Sequence, residues 1–177
     1  MDGWIHAARE VTKVATQGVG AFESPGFGPL GWVDDAGVHL PPAQPARPVP
    51  FSGLQLDEPW PQVAILHGCV EPPSALIPAL LSAGVRGLVF TGTGAGQLSG
   101  LERCALENWP GQLPLMLRAN RCGSGPVHRD EQFARLGLLP AGRLSPQKAR
   151  VLLLLALMAG LDRAELGALI SQRVHVS

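Results

Sequence analysis

Gly84-Val85-Arg86-Gly87-Leu88-Val89-Phe90-Thr91-Gly92-Thr93-Gly94-Ala95-Gly96-Gln97 is the stretch on which the fold turns. Its first glycine closes a helical segment, Ala75 to Ser82, which Pro72-Pro73-Ser74 opens. Val85 to Phe90 then runs apolar without alternation, as a strand does when both of its faces are covered. A glycine loop follows, and after it a helix is expected from about Ser99 to Asn108. The unit is therefore strand, loop, helix, and the same grammar repeats on either side. Upstream, Val63-Ala64-Ile65-Leu66 is another short unalternating strand. Downstream, Pro114 to Leu117 is a third strand, and Leu136 to Leu139 a weaker fourth. Strands alternating with helices predict a parallel sheet with right-handed crossovers and helices on both faces.

The final third is read as helical. Ser145 is a good N-cap and Pro146 suits the first helical position, so a helix runs to about Met158 and stops at Gly160. Val151 to Met158 is apolar nearly all round, which asks for cover from the sheet and from another subunit. A last helix spans about Arg163 to Gln172. Before the strand-helix pattern, Pro41 to Pro50 is too proline-rich for a helix or a central strand, and it reads as a linker continuing to residue 59. Residues 1–40 show hairpin signals, with Asp34-Asp35-Ala36-Gly37 as a turn between Leu30 to Val33 and Val38 to Leu40. Forty residues of hairpin and loop cannot build a core of their own and are expected to be poorly packed. The division is thus 1–40, a linker over 41–59, and an α/β domain over 60–177.

Composition sets the remaining bounds. The chain has 177 residues, 46% hydrophobic and 16% charged, which allows a sizeable core. Fourteen Lys plus Arg balance fourteen Asp plus Glu, which argues against a nucleic-acid partner and offers no repulsion between copies. Cys69, Cys104 and Cys122 form no CxxC pair, so no metal or disulfide framework is expected, and the thiols are read as buried or incidental. Val151 to Ala159 is about half the length a membrane span needs. Met1-Asp2-Gly3-Trp4 lacks a basic n-region. As it stands the chain is expected to be cytoplasmic and off the membrane, although a parent protein could be periplasmic.

The candidate chemistry is sparse when residues are read singly. The glycine loop lies where open α/β sheets bind ligands. It fails the dinucleotide spacing, because Gln97 stands at the third glycine position, and it has no Gly-Lys-Ser/Thr. A tight turn is its plain alternative. His67 and His128 show no paired spacing. Asp130 and Glu131 read as a solvated loop, and Lys13 as a surface lysine.

Read together, the same residues resemble a family. Ala8-Arg9-Glu10-Val11-Thr12-Lys13 followed by Phe22-Glu23-Ser24-Pro25-Gly26-Phe27-Gly28-Pro29-Leu30-Gly31 resembles the end of the N-terminal domain of bacterial L-asparaginases. The glycine loop resembles that family's C-domain loop, and Arg118-Ala119-Asn120-Arg121-Cys122-Gly123-Ser124-Gly125 its Arg-Ser-Ser-Arg segment. Ala141 to Leu153, which includes Arg143-Leu144-Ser145-Pro146-Gln147-Lys148-Ala149-Arg150, resembles its final-helix signature. The matches come in order over nearly the whole chain.

The resemblance implies a three-layer, Rossmann/flavodoxin-like C-terminal asparaginase domain preceded by a β-hairpin remnant of the N-terminal domain. It implies hydrolysis of the side-chain amide of L-asparagine or L-glutamine, with no cofactor, in a homo-oligomer. The family's two active-site threonines belong to a Thr-Gly-Gly-Thr and a Thr-Asp-Thr motif, and this sequence contains neither. Lys13 matches the family lysine that helps activate a threonine. Gln97 falls where the family has a substrate-holding asparagine contributed to a neighbouring subunit. The matching carboxylate falls on Asp130 or Glu131. Ala119 and Asn120 replace the serine pair. The expectation is an amidohydrolase C-terminal half, inactive alone and competent only with an N-terminal half. The other expectation is a non-catalytic remnant or interaction module that keeps the same fold.

Overall fold

The structure is a computed structural model and describes residues 2–42, 50–55, 57, 59–122 and 124–174. Residues 43–49, 56 and 58 of the linker lie outside the described residues, as does Gly123. The chain divides into two units, Met1–Val49 and Pro50–Ser177.

The first unit holds five short strands: β1 (Trp4–Ile5), β2 (Thr12–Lys13), β3 (Phe22–Glu23), β4 (Gly31–Asp34) and β5 (Gly37–His39). The predicted turn at Asp34 to Gly37 is there. It joins β4 to β5 antiparallel, with Asp34 opposite Gly37 at φ +130°, while Asp34 Oδ1 accepts the Ala36 amide at 2.9 Å. Strand β1 pairs with β4, and β2 with β3. Those three two-residue strands were not foreseen, because two residues carry no periodicity. Among the described residues of this unit only Ala21, Ser24 and Gly31 are buried. Trp4, Phe22, Phe27, Trp32, Val33 and Val38 all stand exposed.

The second unit is a four-stranded parallel sheet in sequential order: β6 (Val63–His67), β7 (Gly87–Gly92), β8 (Leu115–Asn120) and β9 (Leu138–Pro140). Between them lie α1 (Leu76–Ser82), α2 (Gly100–Glu107) and α3 (Glu131–Arg135). The chain ends in α4 (Pro146–Met158) and α5 (Arg163–Val174). Side chains alternate across the pleat, and the two faces bury different cores. Leu88, Phe90, Met116 and Leu138 pack with Ile77, Leu106 and Phe133 from α1 to α3. Val89, Leu117 and Ala119 pack with Ala149, Leu153, Leu166 and Ile170 from α4 and α5. Helices therefore cover both faces, which is the expected three-layer arrangement.

Local chemistry explains the element ends. Ser99 and Glu102 cap α2 reciprocally, with Ser99 N donating to Glu102 Oε2 at 2.7 Å and Glu102 N to Ser99 Oγ at 3.2 Å. Ser145 Oγ accepts the Lys148 amide at 3.3 Å and Pro146 opens α4, as expected. Three strands sit later in sequence than predicted, among them β8, which runs Leu115–Asn120 rather than Pro114 to Leu117 and so takes in Arg118. Strand β7 begins at Gly87 because Arg86 and Gly87 first donate to Gln62 O. The fourth strand begins at Leu138 because Leu136 is the C-cap of α3 and Gly137 turns the chain at φ +80°. Helix α4 is covered on its sheet side, where Leu153 and Ala156 are fully buried, while Val151 is 53% exposed.

Candidate functional site

A parallel sheet gathers the loops that follow its strands at one end, and the chemistry-bearing residues of the second unit collect there. Strand β7 ends at Gly92, and the chain closes at once into a tight turn. Thr93 N donates to Gln97 O at 3.1 Å and Gln97 N to Thr93 O at 2.8 Å. This turn folds back over Gly92 so closely that a Cβ there would lie 2.3 Å from the Gly96 carbonyl carbon. Its backbone bonds hold Gln97 in place, and the residue is exposed.

Strand β8 ends at Asn120, whose Nδ2 donates to Gly125 O at 3.2 Å. The loop is pinned again where Val127 N donates to Gly142 O at 2.8 Å. Asp130 then caps α3, its Oδ1 accepting the Gln132 amide at 2.9 Å. The two carboxylates that were equivalent in sequence differ in space. Glu131 is exposed, and Arg129 occupies both its oxygens at 2.8 and 3.4 Å, which holds its carboxyl below the ordinary range. Asp130 is half-buried and acts electrostatically on Arg118.

Arg118 is the residue that sequence reasoning passed over. It stands in β8, 2% exposed, on the same face as Phe90, to which it is paired in register. Its Nη1 donates to Ala95 O at 2.9 Å and to Gly96 O at 3.2 Å. Its Nη2 donates to His128 O at 2.7 Å. Its guanidinium lies over the Phe133 ring, 4.4 Å from the centroid. Burial pushes it below its ordinary pKa, and the Asp130 carboxylate works in the opposite sense. One guanidinium thus holds both the Gln97 loop and the segment leading to Asp130. The available signal was an arginine inside the otherwise apolar run Leu115-Met116-Leu117-Arg118-Ala119.

The other candidates are placed more simply. Lys13, in the first unit, is exposed with its Nζ 5.0 Å from the Phe22 ring centroid. His67 and His128 are exposed, and His128 contributes its carbonyl to the site. All three cysteines are free and exposed rather than buried. Among the described residues no group of three or more His, Cys, Asp or Glu is placed to hold a metal ion, and no helix is long and apolar enough to cross a membrane.

Residues 62–170 match the family model described as the glutaminase/asparaginase C-terminal domain, and residues 1–45 match that described as asparaginase, N-terminal. The chain is 34% identical to the probable periplasmic L-asparaginase of Haemophilus influenzae, over 89% of this chain and 46% of that protein. It is 36% identical to L-asparaginase 2 of Bacillus subtilis, over 86% of this chain and 41% of that one. To L-asparaginase 2 of Escherichia coli it is 30% identical, over 97% of this chain and 51% of that one. The chain spans about half the length of the curated relatives it matches.

Proposed function

We propose, because this chain belongs to the glutaminase/asparaginase family, that it supplies the substrate-holding half of an amidohydrolase that converts L-asparagine to L-aspartate and ammonia. In this reading residues 60–177 are the C-terminal domain, 41–59 a linker, and 1–40 a part of the N-terminal domain. The observation that carries it is the single Arg118 that joins the Gln97 loop to the segment of Asp130. An α-amino acid presents an ammonium and a carboxylate close together. An exposed side-chain amide on one of these loops and a carboxylate on the other suit that pair of charges, Gln97 by hydrogen bonding and Asp130 by charge. Asp130 is favoured over Glu131 as the carboxylate, because Glu131 is already neutralised by Arg129.

Amide hydrolysis also needs a nucleophile and donors for the developing oxyanion. Neither threonine motif is in the sequence, so Lys13, the family's threonine-activating lysine by its match, has no nucleophile here to act on. The 177-residue chain is therefore inactive alone. It associates with copies of itself through apolar side chains left exposed, and its zero formal charge does not oppose this.

The test is ammonia release from asparagine and from glutamine by the purified chain, with its size followed by light scattering. Background rates are expected for the chain alone, and turnover once an N-terminal half carrying both threonine motifs is added. Lys13→Ala should abolish the restored turnover. Robust turnover by the chain alone that disappears in Lys13→Ala would overturn the proposal. A tightly bound complementing half that restores nothing would favour a non-catalytic interaction module.

A further inference from the structure

We propose that Arg118 is a positioning residue: it fixes the Gln97 loop and the Asp130 segment at one separation, and so sets the span over which the substrate's amino-acid end is held. The proposal rests on the reading that Gln97 and Asp130 hold that end.

The argument begins with cost. A guanidinium 2% exposed has lost nearly all its water, and among the described residues no carboxylate lies within ion-pair distance of it. Its Nε is buried without a hydrogen-bond partner. A leucine or methionine between Phe90 and Phe133 would fill apolar space without that cost. What the arginine does that an apolar side chain cannot is donate to three carbonyls on two loops. Ala95 and Gly96 lie 23 and 22 residues before it in sequence, and His128 lies 10 after it.

The fit is specific to a planar fork. Nη1 serves the glycine loop, Nη2 serves the other loop, and stacking on Phe133 fixes the plane. The glycine loop is built to accept it. Gly96 has φ +81°, and a Cβ there would come within 3.2 Å of Arg118 Cγ and of Val127 Cγ1 and 3.1 Å of Ala119 O. Phe133, from α3, follows Asp130 by one helical turn, so the ring that fixes the guanidinium stands on the helix that Asp130 caps.

Amide hydrogen exchange followed by NMR on the 177-residue chain tests this, with Arg118→Gln and the milder Arg118→Lys. In Arg118→Gln the amides of Gly96, Gln97 and Val127 should exchange faster by about tenfold or more, while those of Val89 and Leu117 stay within about threefold. Lysine keeps the charge, but its three N–H donors sit on one atom rather than at the two ends of a planar fork, so it should restore protection to the two loops only in part. Either loop unchanged in Arg118→Gln would overturn the proposal. Equal acceleration at Val89 and Leu117, or full restoration of both loops by lysine, would also overturn it. In the complemented enzyme, Arg118→Lys should raise KM for asparagine about tenfold with kcat within about threefold. Loosened loops with an unchanged KM would leave the two loops joined by Arg118 and remove Gln97 and Asp130 from the substrate.

Discussion

Gly92→Ala should unfold the sheet domain more easily than any change elsewhere in the glycine loop. The added Cβ would lie 2.3 Å from the Gly96 carbonyl carbon and 2.6 Å from both N and O of Gln97. Ordinary carbon contacts begin near 3.5 Å, so backbone must move by about 1 Å. Backbone is what the turn cannot spare, since Thr93 and Gln97 are joined by hydrogen bonds of 3.1 and 2.8 Å. Losing both costs about 2 kcal/mol, and keeping them costs overpacking of a similar size, about 1–3 kcal/mol. A loss of about 2–3 kcal/mol follows. With a urea m-value of roughly 2 kcal/mol/M, the unfolding midpoint falls by about 1–1.5 M.

Gly94→Ala is the control within the same loop. A Cβ at Gly94 meets nothing within 4 Å, and only its φ of +50° opposes the change. That strain is about 1 kcal/mol, partly offset by the stiffer unfolded chain. Its midpoint should fall by no more than about 0.5 M. Urea unfolding followed by circular dichroism measures both variants. A Gly92→Ala midpoint within about 0.3 M of the parent, or a larger loss in Gly94→Ala, would refute the packing argument.

Leu153→Ala should cost about 2–5 kcal/mol in thermal or chemical unfolding, because Leu153 is fully buried against the sheet. A Cβ on Gly87 would sit 2.8 Å from Leu153 Cδ2, so Gly87→Ala should destabilise the parent and be better tolerated beside Leu153→Ala. Strictly additive losses would contradict that contact. In the first unit, the His39 bond at 2.9 Å holds the Asp34 carboxyl below its ordinary value of 3.8. A lowered carboxyl pKa contributes to the hairpin above the unfolded value and stops contributing as pH falls through the folded one. The Trp32 indole N–H, which donates to Asp34 Oδ2 at 3.3 Å, should therefore shift by NMR with a midpoint below 3.8, and a midpoint at or above it would contradict the pairing.

Much of the architecture was legible because it is written in short stretches. Ser145 and Pro146 announce α4, and Asp34 to Gly37 announces the hairpin. The apolar runs around Ile65, Val89 and Leu117 announce strands covered on both faces. Each signal acts within a few residues, where a cap, a turn or a missing alternation is decided. Helix α3 escaped because five residues hold too little periodicity to be seen. The different surroundings of Asp130 and Glu131 escaped because neighbours in sequence differ only once one caps a helix and the other faces Arg129. Arg118 was quoted within a recognised segment, yet nothing near it in sequence says what it touches. Its partners Ala95 and Gly96 come to it only through the parallel register that sets Phe90 beside Arg118 and Gly92 beside Asn120, and His128 comes to it as the loop after β8 folds back. The residue types came from the sequence. Their apposition came from a sheet that brings the ends of successive strands together across 22 or more residues of chain.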